Sequence, residues 1–440
     1  MRESVIPAPQ VRWHAAIDAS SWNVPLYAAD GRLYGADLTT TFARDAVTGR
    51  MLWESDFSGS LDAVGEHVAY QADFQCVRAV DLRDGAELWF RDLSKDRLKA
   101  PREVVRGPVR LPRRNESRYV DALHETADGT LVVQCGGAVF ALDRATGGLR
   151  WGRRHGHWST YAAVPDRAGP VLFFRRYPVK VVALDPGTGE TVWKGEYQPL
   201  GRQGERLLVA EGRDRALDVV DGAGGRLTRH TFASPPTDYV GTFDGIRIAM
   251  TSEHVLVASG ASGRPSWSAP TRLPHTAEGV TTCLVDGVVY VWDHLGVTRA
   301  FDAADGTLRW SGDSPWQGLS GRSGSRVRVT VDEDVVVLTA DGGHVAVLDR
   351  GDGCPLWAWV DPDSSPQTPP PRVAVDRTGV YVVTEDRLLA FETPRHEPHH
   401  ERVSAEERAA PRRRVVGMEP ALRRTHRLTA DPRLRGKARS

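Results

Sequence analysis

The sequence has little lysine: five of its 57 basic residues are Lys and the rest are Arg. This skew reads as GC-rich coding rather than as a mechanism. Cysteine is scarce as well. Cys76, Cys135, Cys283 and Cys354 lie far apart with no C-x-x-C pair, which excludes both a disulfide framework and a cysteine zinc site. The N-terminus, "MRESVIPAPQVRWHAAID", lacks the apolar core of a secretory signal. No segment approaches the ~18 continuous apolar residues of a membrane span. The expectation is a cytoplasmic protein. Net charge is absent too, with 57 basic against 57 acidic residues, so nothing global favours nucleic acid or an anionic membrane as partner. There is no G-x-x-x-x-G-K-[ST], no G-x-S-x-G and no H-E-x-x-H, which removes P-loop, nucleophile-elbow and zincin chemistry.

What is present is a phrase that returns. "FARDAVTGRMLW" occupies 42–53, "AVDLRDGAELW" 79–89, "FALDRATGGLRW" 140–151, "ALDPGTGETVW" 183–193, "AFDAADGTLRW" 300–310 and "AVLDRGDGCPLW" ends at 357. Aligned on apolar–Asp–x–x–[Thr/Asp]–Gly–x–x–x–Trp, the acid falls at Asp45, Asp81, Asp143, Asp185, Asp221, Asp302 and Asp349, with Ser259 in one unit. Gly follows at Gly49, Gly85, Gly147, Gly189, Gly225, Gly263, Gly306 and Gly353. Trp closes the unit at Trp53, Trp89, Trp151, Trp193, Trp267, Trp310 and Trp357, and Arg229 is the exception. Asp accepts backbone N–H groups two residues on and starts a tight turn. Gly supplies the positive φ that closes a short hairpin. Trp covers apolar area and offers an indole N–H. Two further strands precede each phrase, as in "GRLYGAD" and "GVVYVWD".

Successive motif positions lie 36, 62, 42, 36, 38, 43, 47 and 43 residues apart. A period near ~40 with four short antiparallel strands per unit is a propeller blade. The expected fold is an all-β, closed β-propeller of eight or nine blades. The ninth unit, "PRVAVDRTGVYVVTEDRLLAFE", lacks its outer Trp strand, and the N-terminal "QVRWHAAID" is an orphan strand carrying Trp13. Trp13 is therefore expected to complete the last blade in a monomer. The chain divides into an arm at 1–9, the propeller at 10–393 and a tail at 394–440.

The phrase Ala-x-Asp-x-x-Thr-Gly-x-x-x-Trp resembles the repeat of the quinoprotein, or PQQ-like, β-propeller family, over roughly 10–393. The resemblance implies that Trp13, Trp53, Trp89, Trp151, Trp193, Trp267, Trp310 and Trp357 dock neighbouring blades together. It also implies one of two functional classes. One is the exported PQQ-dependent dehydrogenases, some of which have adjacent cysteines, a calcium site and a catalytic Asp. The other is cofactor-free binding scaffolds. This chain has no Cys–Cys pair and is expected to be a non-enzymatic scaffold for a protein or peptide, bound on a face or at the channel. No cofactor is expected. The alternative is an oxidoreductase holding PQQ, with calcium, or another cofactor at the channel.

Residues outside the repeat offer less. His155 and His157 in "RRHGH", and "HEPHH" at 396–400, are solvated stretches before they are metal sites. "VWD" at 291–293 is off register with the repeat, and the sequon "NES" at 115–117 is accidental without secretion. The turn aspartates have local hydrogen-bonding work and are not expected to be catalytic. The 62-residue interval holds an insertion, 91–118, strongly basic and carrying three Pro. It is a passive insertion or a partner loop presenting Lys95, Arg97, Lys99, Arg102, Arg113 and Arg114. The tail carries 13 basic and 6 acidic residues, a net +7 against −7 elsewhere. Its composition predicts disorder, broken only by a capping-box spacing from Ser404 to Glu407 that Pro411 cuts short. Arg412, Arg413 and Arg414 would meet an acidic partner by charge alone.

Overall fold

In a computed structural model the described residues run from 8 to 392. Connecting segments are excepted, the longest being 96–119 and 317–326, as are most side chains of 154–181 and 194–227. The chain divides into two units, 1–394 and 395–440, and the second lies wholly outside the described residues.

The described residues form nine four-stranded antiparallel sheets. Sheet 1 is Leu26–Ala29, Arg32–Ala36, Thr41–Asp45 and Met51–Ser55, hydrogen-bonded in that order. Seven more meanders follow at 60–92, 120–154, 161–195, 198–231, 236–270, 281–312 and 327–360. Sheet 9 takes Arg372–Asp376, Gly379–Val383 and Arg387–Phe391, and its fourth strand is Val11–Ala16. Trp13 pairs with Ala390 and His14 with Leu389. Of the two expected blade counts, nine is the one found.

Burial explains the strand order. Where their side chains are described, the second and third strands are buried on both faces, so their apolar residues run without alternation; all six residues of Val335–Ala340 are buried. Fourth strands alternate, as in Leu308–Gly312, where Trp310 is buried between exposed Arg309 and Ser311. First strands approach those of neighbouring sheets, Leu26–Ala29 meeting Arg372–Asp376 and Pro236–Phe243 meeting both Gln198–Gln203 and Thr281–Val285. They are therefore innermost, and the Trp strands form the rim.

The core lies between sheets rather than within any one of them. Tyr70, Val77, Ala79 and Trp89 of sheet 2 pack on Leu131, Val133 and Phe140 of sheet 3. Sheet 9 returns to sheet 1 through Tyr381, Val383 and Leu388 against Leu33 and Phe42. A lone four-stranded sheet cannot bury both faces, so each blade is stable only beside its neighbours.

Candidate functional site

The hairpins between third and fourth strands are built from the repeated acid outward. Asp45 Oδ1 accepts the N–H groups of Val47 (3.1 Å) and Thr48 (2.8 Å) and the Thr48 hydroxyl (2.8 Å). Gly49 N–H closes on the Asp45 carbonyl at 2.9 Å with φ +72°. Asp143, Asp185, Asp302 and Asp349 accept their own turn amides in the same way. Asp81 accepts Arg83 N–H at 2.8 Å. The Arg83 side chain and backbone bonds hold the Asp81 carboxyl down at about 2, and Arg150 with Thr146 does the same for Asp143, also about 2. These carboxylates remain ionised because they are hydrogen-bonded in their charged form.

Six turn glycines each receive the rim tryptophan of the preceding sheet. A Cβ added at Gly49, Gly85, Gly147, Gly189, Gly306 or Gly353 would stand 2.4–2.7 Å from the ring of Trp13, Trp53, Trp89, Trp151, Trp267 or Trp310 respectively. In five of the six, Trp267 excepted, the indole N–H then donates to the carbonyl just after the turn acid. Trp53 reaches Leu82 O (3.1 Å), Trp89 Arg144 O (2.8 Å), Trp151 Pro186 O (2.7 Å) and Trp310 Arg350 O (2.9 Å). Trp13, from the other end of the chain, makes the same bond to Ala46 O at 3.2 Å. Trp357 meets Phe391 instead, ring centroids 5.2 Å apart. Trp193 is half-buried, and the glycine that follows it, Gly225, lies outside the described residues.

A second aromatic element escaped the motif alignment. Tyr34, Tyr70, Tyr290 and Tyr381 sit on second strands, each tilted 6.0–6.4 Å from a tryptophan of its own sheet: Trp53, Trp89, Trp310 and Trp13. The Tyr381 hydroxyl donates to Ala46 O at 3.1 Å, the carbonyl that Trp13 also uses. The signal was present in the sequence, since Tyr34 and Tyr70 both stand 11 residues before the turn acid.

The junction between sheets 5 and 6 is built differently. In regular sheets the residue two before the acid pairs with Trp, as Ala43 does with Trp53. In sheet 5, Val219 pairs with Thr228, and Arg229 faces Asp218. Thr228, not Arg229, therefore occupies the tryptophan's register place. Across the junction, a Cβ on Gly263 would meet the Arg229 carbonyl at 2.6 Å and no aromatic ring. Thr231 donates both its N–H and its hydroxyl to Gly263 O, each at 3.0 Å. His230, fully buried, lies 3.1 Å from Ser259 Oγ and 3.4 Å from an Arg247 guanidinium nitrogen through Nδ1. Burial, and then the Arg247 charge, push His230 down to about 4. Asp218 is buried nearby, 3.9 Å from Arg229. The two units that depart from the motif, at Arg229 and at Ser259, thus meet at one junction.

Lys95 ends a short 3-10 turn, Leu93–Lys95, with its side chain outside the described residues. Arg97, Lys99, Arg102, Arg113, Arg114, Arg412, Arg413, Arg414, His155, His157 and the tail capping box also fall outside them. Asp293 of "VWD" is buried and accepts Val297 N–H at 3.0 Å in a second-to-third-strand turn. The described residues hold no cluster of three or more His, Cys, Asp or Glu suited to a metal ion. The four cysteines form no disulfide and lie in or beside four different sheets, 2, 3, 7 and 8. No two of them are adjacent in sequence, as the cysteines of some PQQ-dependent dehydrogenases are.

Sheets with innermost first strands, rim tryptophans and Asp–Gly hairpins define a quinoprotein-like β-propeller. The family model described as outer membrane protein assembly factor BamB matches residues 7–153, 73–237 and 251–394. The chain belongs to that family. No curated protein matches the sequence. Among solved structures, the fold is shared by BamB from Moraxella catarrhalis at 14% identity, covering 88% of this chain and all of that one, TM-score 0.50. It is also shared by the computationally designed protein Ika8 (14% identity, 78% of this chain and 99% of that one, TM-score 0.51). The C-terminal WD40 domain of Sif2 matches over 76% of this chain and 94% of its own, at 10% identity and TM-score 0.50.

Proposed function

We propose that this chain is a non-enzymatic scaffold that binds a protein or peptide partner on one face of the propeller or at its channel, acting as a cytoplasmic monomer without a cofactor. The observation that carries this reading is the employment of the repeat's own polar groups. The turn carboxylates accept the amides of their own hairpins, and five of the indoles donate to the next sheet's carbonyls. Residues that might otherwise suggest chemistry are engaged in holding the architecture. What varies between sheets is the connections and hairpin tips, the places where a rigid scaffold presents recognition. Membership in a family described as an assembly factor supports a protein as the kind of partner.

The test is chemical crosslinking in the producing cell, followed by quantitative binding of the recovered partner to the purified full chain. The expected result is one saturable complex, weakened by charge reversals at hairpin tips on one face and untouched by those on the other. The same preparation is titrated with PQQ and calcium. PQQ-dependent reduction of an acceptor dye would overturn the reading in favour of a cofactor-dependent oxidoreductase.

A further inference from the structure

We propose that the propeller opens first between sheets 5 and 6, at the junction of Arg226–Thr231 with the turn around Gly263, and not where the two chain ends meet. The intuitive weak point of a ring closed by its own termini is the terminal junction, but the geometry there argues otherwise. At the junction of sheets 9 and 1, the Trp13 ring lies on Gly49, and the Trp13 indole and Tyr381 hydroxyl share the Ala46 carbonyl. Arg12 approaches the same carbonyl at 3.5 Å. Leu33, Phe42, Tyr381 and Leu388 complete a buried apolar cluster beneath them.

Sheets 5 and 6 meet through a different balance. The described residues place Phe232 against Ala249 and Val257, with half-buried Tyr239 and Val255. The described polar contacts across it are Thr231 on the Gly263 carbonyl and His230 on Ser259 and Arg247. Hydrogen bonds across a junction exchange for bonds to water when it parts, so each contributes little net stability. Buried charged groups regain hydration on opening, which offsets their attraction while closed. An aromatic ring lifted from a glycine recovers nothing of the kind. Separation therefore costs least where the tryptophan is missing, and among the described turn glycines Gly263 marks the place at which the ring can widen. This inference is independent of what the scaffold binds.

Hydrogen exchange of the full chain, read by mass spectrometry across sub-denaturing urea at neutral pH, tests it. Fourth strands occupy equivalent rim positions, so they are compared with one another: Arg226–Thr231 against Val11–Ala16, Met51–Ser55 and Leu308–Gly312. The Thr231 amide, which crosses the junction, is the most direct reporter. The expected result is that Arg226–Thr231 exchanges at least about tenfold faster than the other three at the same urea, through an opening below the global transition. Prior loss of protection in Val11–Ala16, or simultaneous loss in all four, overturns the proposal. Trp13→Ala is the comparator. In that variant Val11–Ala16 should become the first to exchange, and an unchanged order would also overturn the proposal. Should that variant fail to fold, the wild-type order decides alone.

Discussion

The junctions of sheets 1 with 2 and of sheets 5 with 6 join the same kind of hairpin to the same kind of rim strand by opposite means. At the first, Trp53 covers Gly85 and donates to Leu82 O. At the second, Thr228 stands in the tryptophan's register place, Gly263 faces a carbonyl, and His230, Arg247 and Ser259 fill the interior. One junction is cemented by apolar area and the other by hydrogen bonds among groups that water would also satisfy. A repeat architecture tolerates the substitution because each sheet contacts only its two neighbours, so a defect at one junction leaves the other junctions intact.

The sharpest way to test the contrast is to remove a docking ring. Trp310→Ala should lower stability by about 3–5 kcal/mol, the range for truncating a large buried aromatic, because Trp310 is buried, lies on Gly353 and donates to Arg350 O. Urea denaturation measures it. A loss below about 1 kcal/mol would break the distinction.

The second effect is set by pH and centres on the polar junction, with a contribution of the same sign from His344, which burial also pushes down. His230 is held neutral in the fold, about 4 against 6.5 when exposed. The unfolded chain therefore binds the proton more readily, and stability falls as pH drops from 6.5 towards 4. The loss amounts to about 2–3 kcal/mol. The turn aspartates act in a separate window: Asp81 and Asp143 are depressed to about 2, so their contribution persists above 3.8 and is lost as pH falls through 2. Thermal melts between pH 7 and pH 4 should show a decline that His230→Gln reduces and Asp143→Asn leaves in place.

Smaller still is Tyr381→Phe. It deletes one hydroxyl that donates to Ala46 O and should cost about 1 kcal/mol, read as a shifted denaturation midpoint with unchanged slope. Arg229→Ala should be the mildest, under about 1 kcal/mol, because its side chain is 41% exposed and 3.9 Å from Asp218. If Arg229→Ala matched Trp310→Ala, the junctions would be equivalent after all.

The hairpins were legible in the sequence because their chemistry is local. An acid, a glycine four residues on and an aromatic four further fix the turn from within, whatever surrounds them. The orphan strand with Trp13 was legible for a related reason, since the ninth unit visibly lacked the piece that the N-terminus offered. Sheet 5 was misread by one residue. Between its third and fourth strands stands Asp221-Gly-Ala-Gly-Gly, and a turn with that much glycine accepts more than one length. Spacing alone placed Arg229 where the paired strands put Thr228. The tyrosine partners went unread because the alignment was anchored downstream of them. The choice between eight and nine blades was not legible, because the weak unit forms a complete sheet through backbone pairing that side chains do not announce.

The pairing of Val11–Ala16 with Arg387–Phe391 also sets a clock. During synthesis the first strand emerges long before its only sheet partner. At about 5–20 residues per second on the ribosome, the interval between Trp13 and Tyr381 is roughly 20–75 s. Throughout that time the nascent chain carries an unpaired strand bearing Trp13, and the eight intermediate sheets accumulate as an unfinished arc. Whatever attends the polypeptide during translation has to shield that strand until the last sheet arrives.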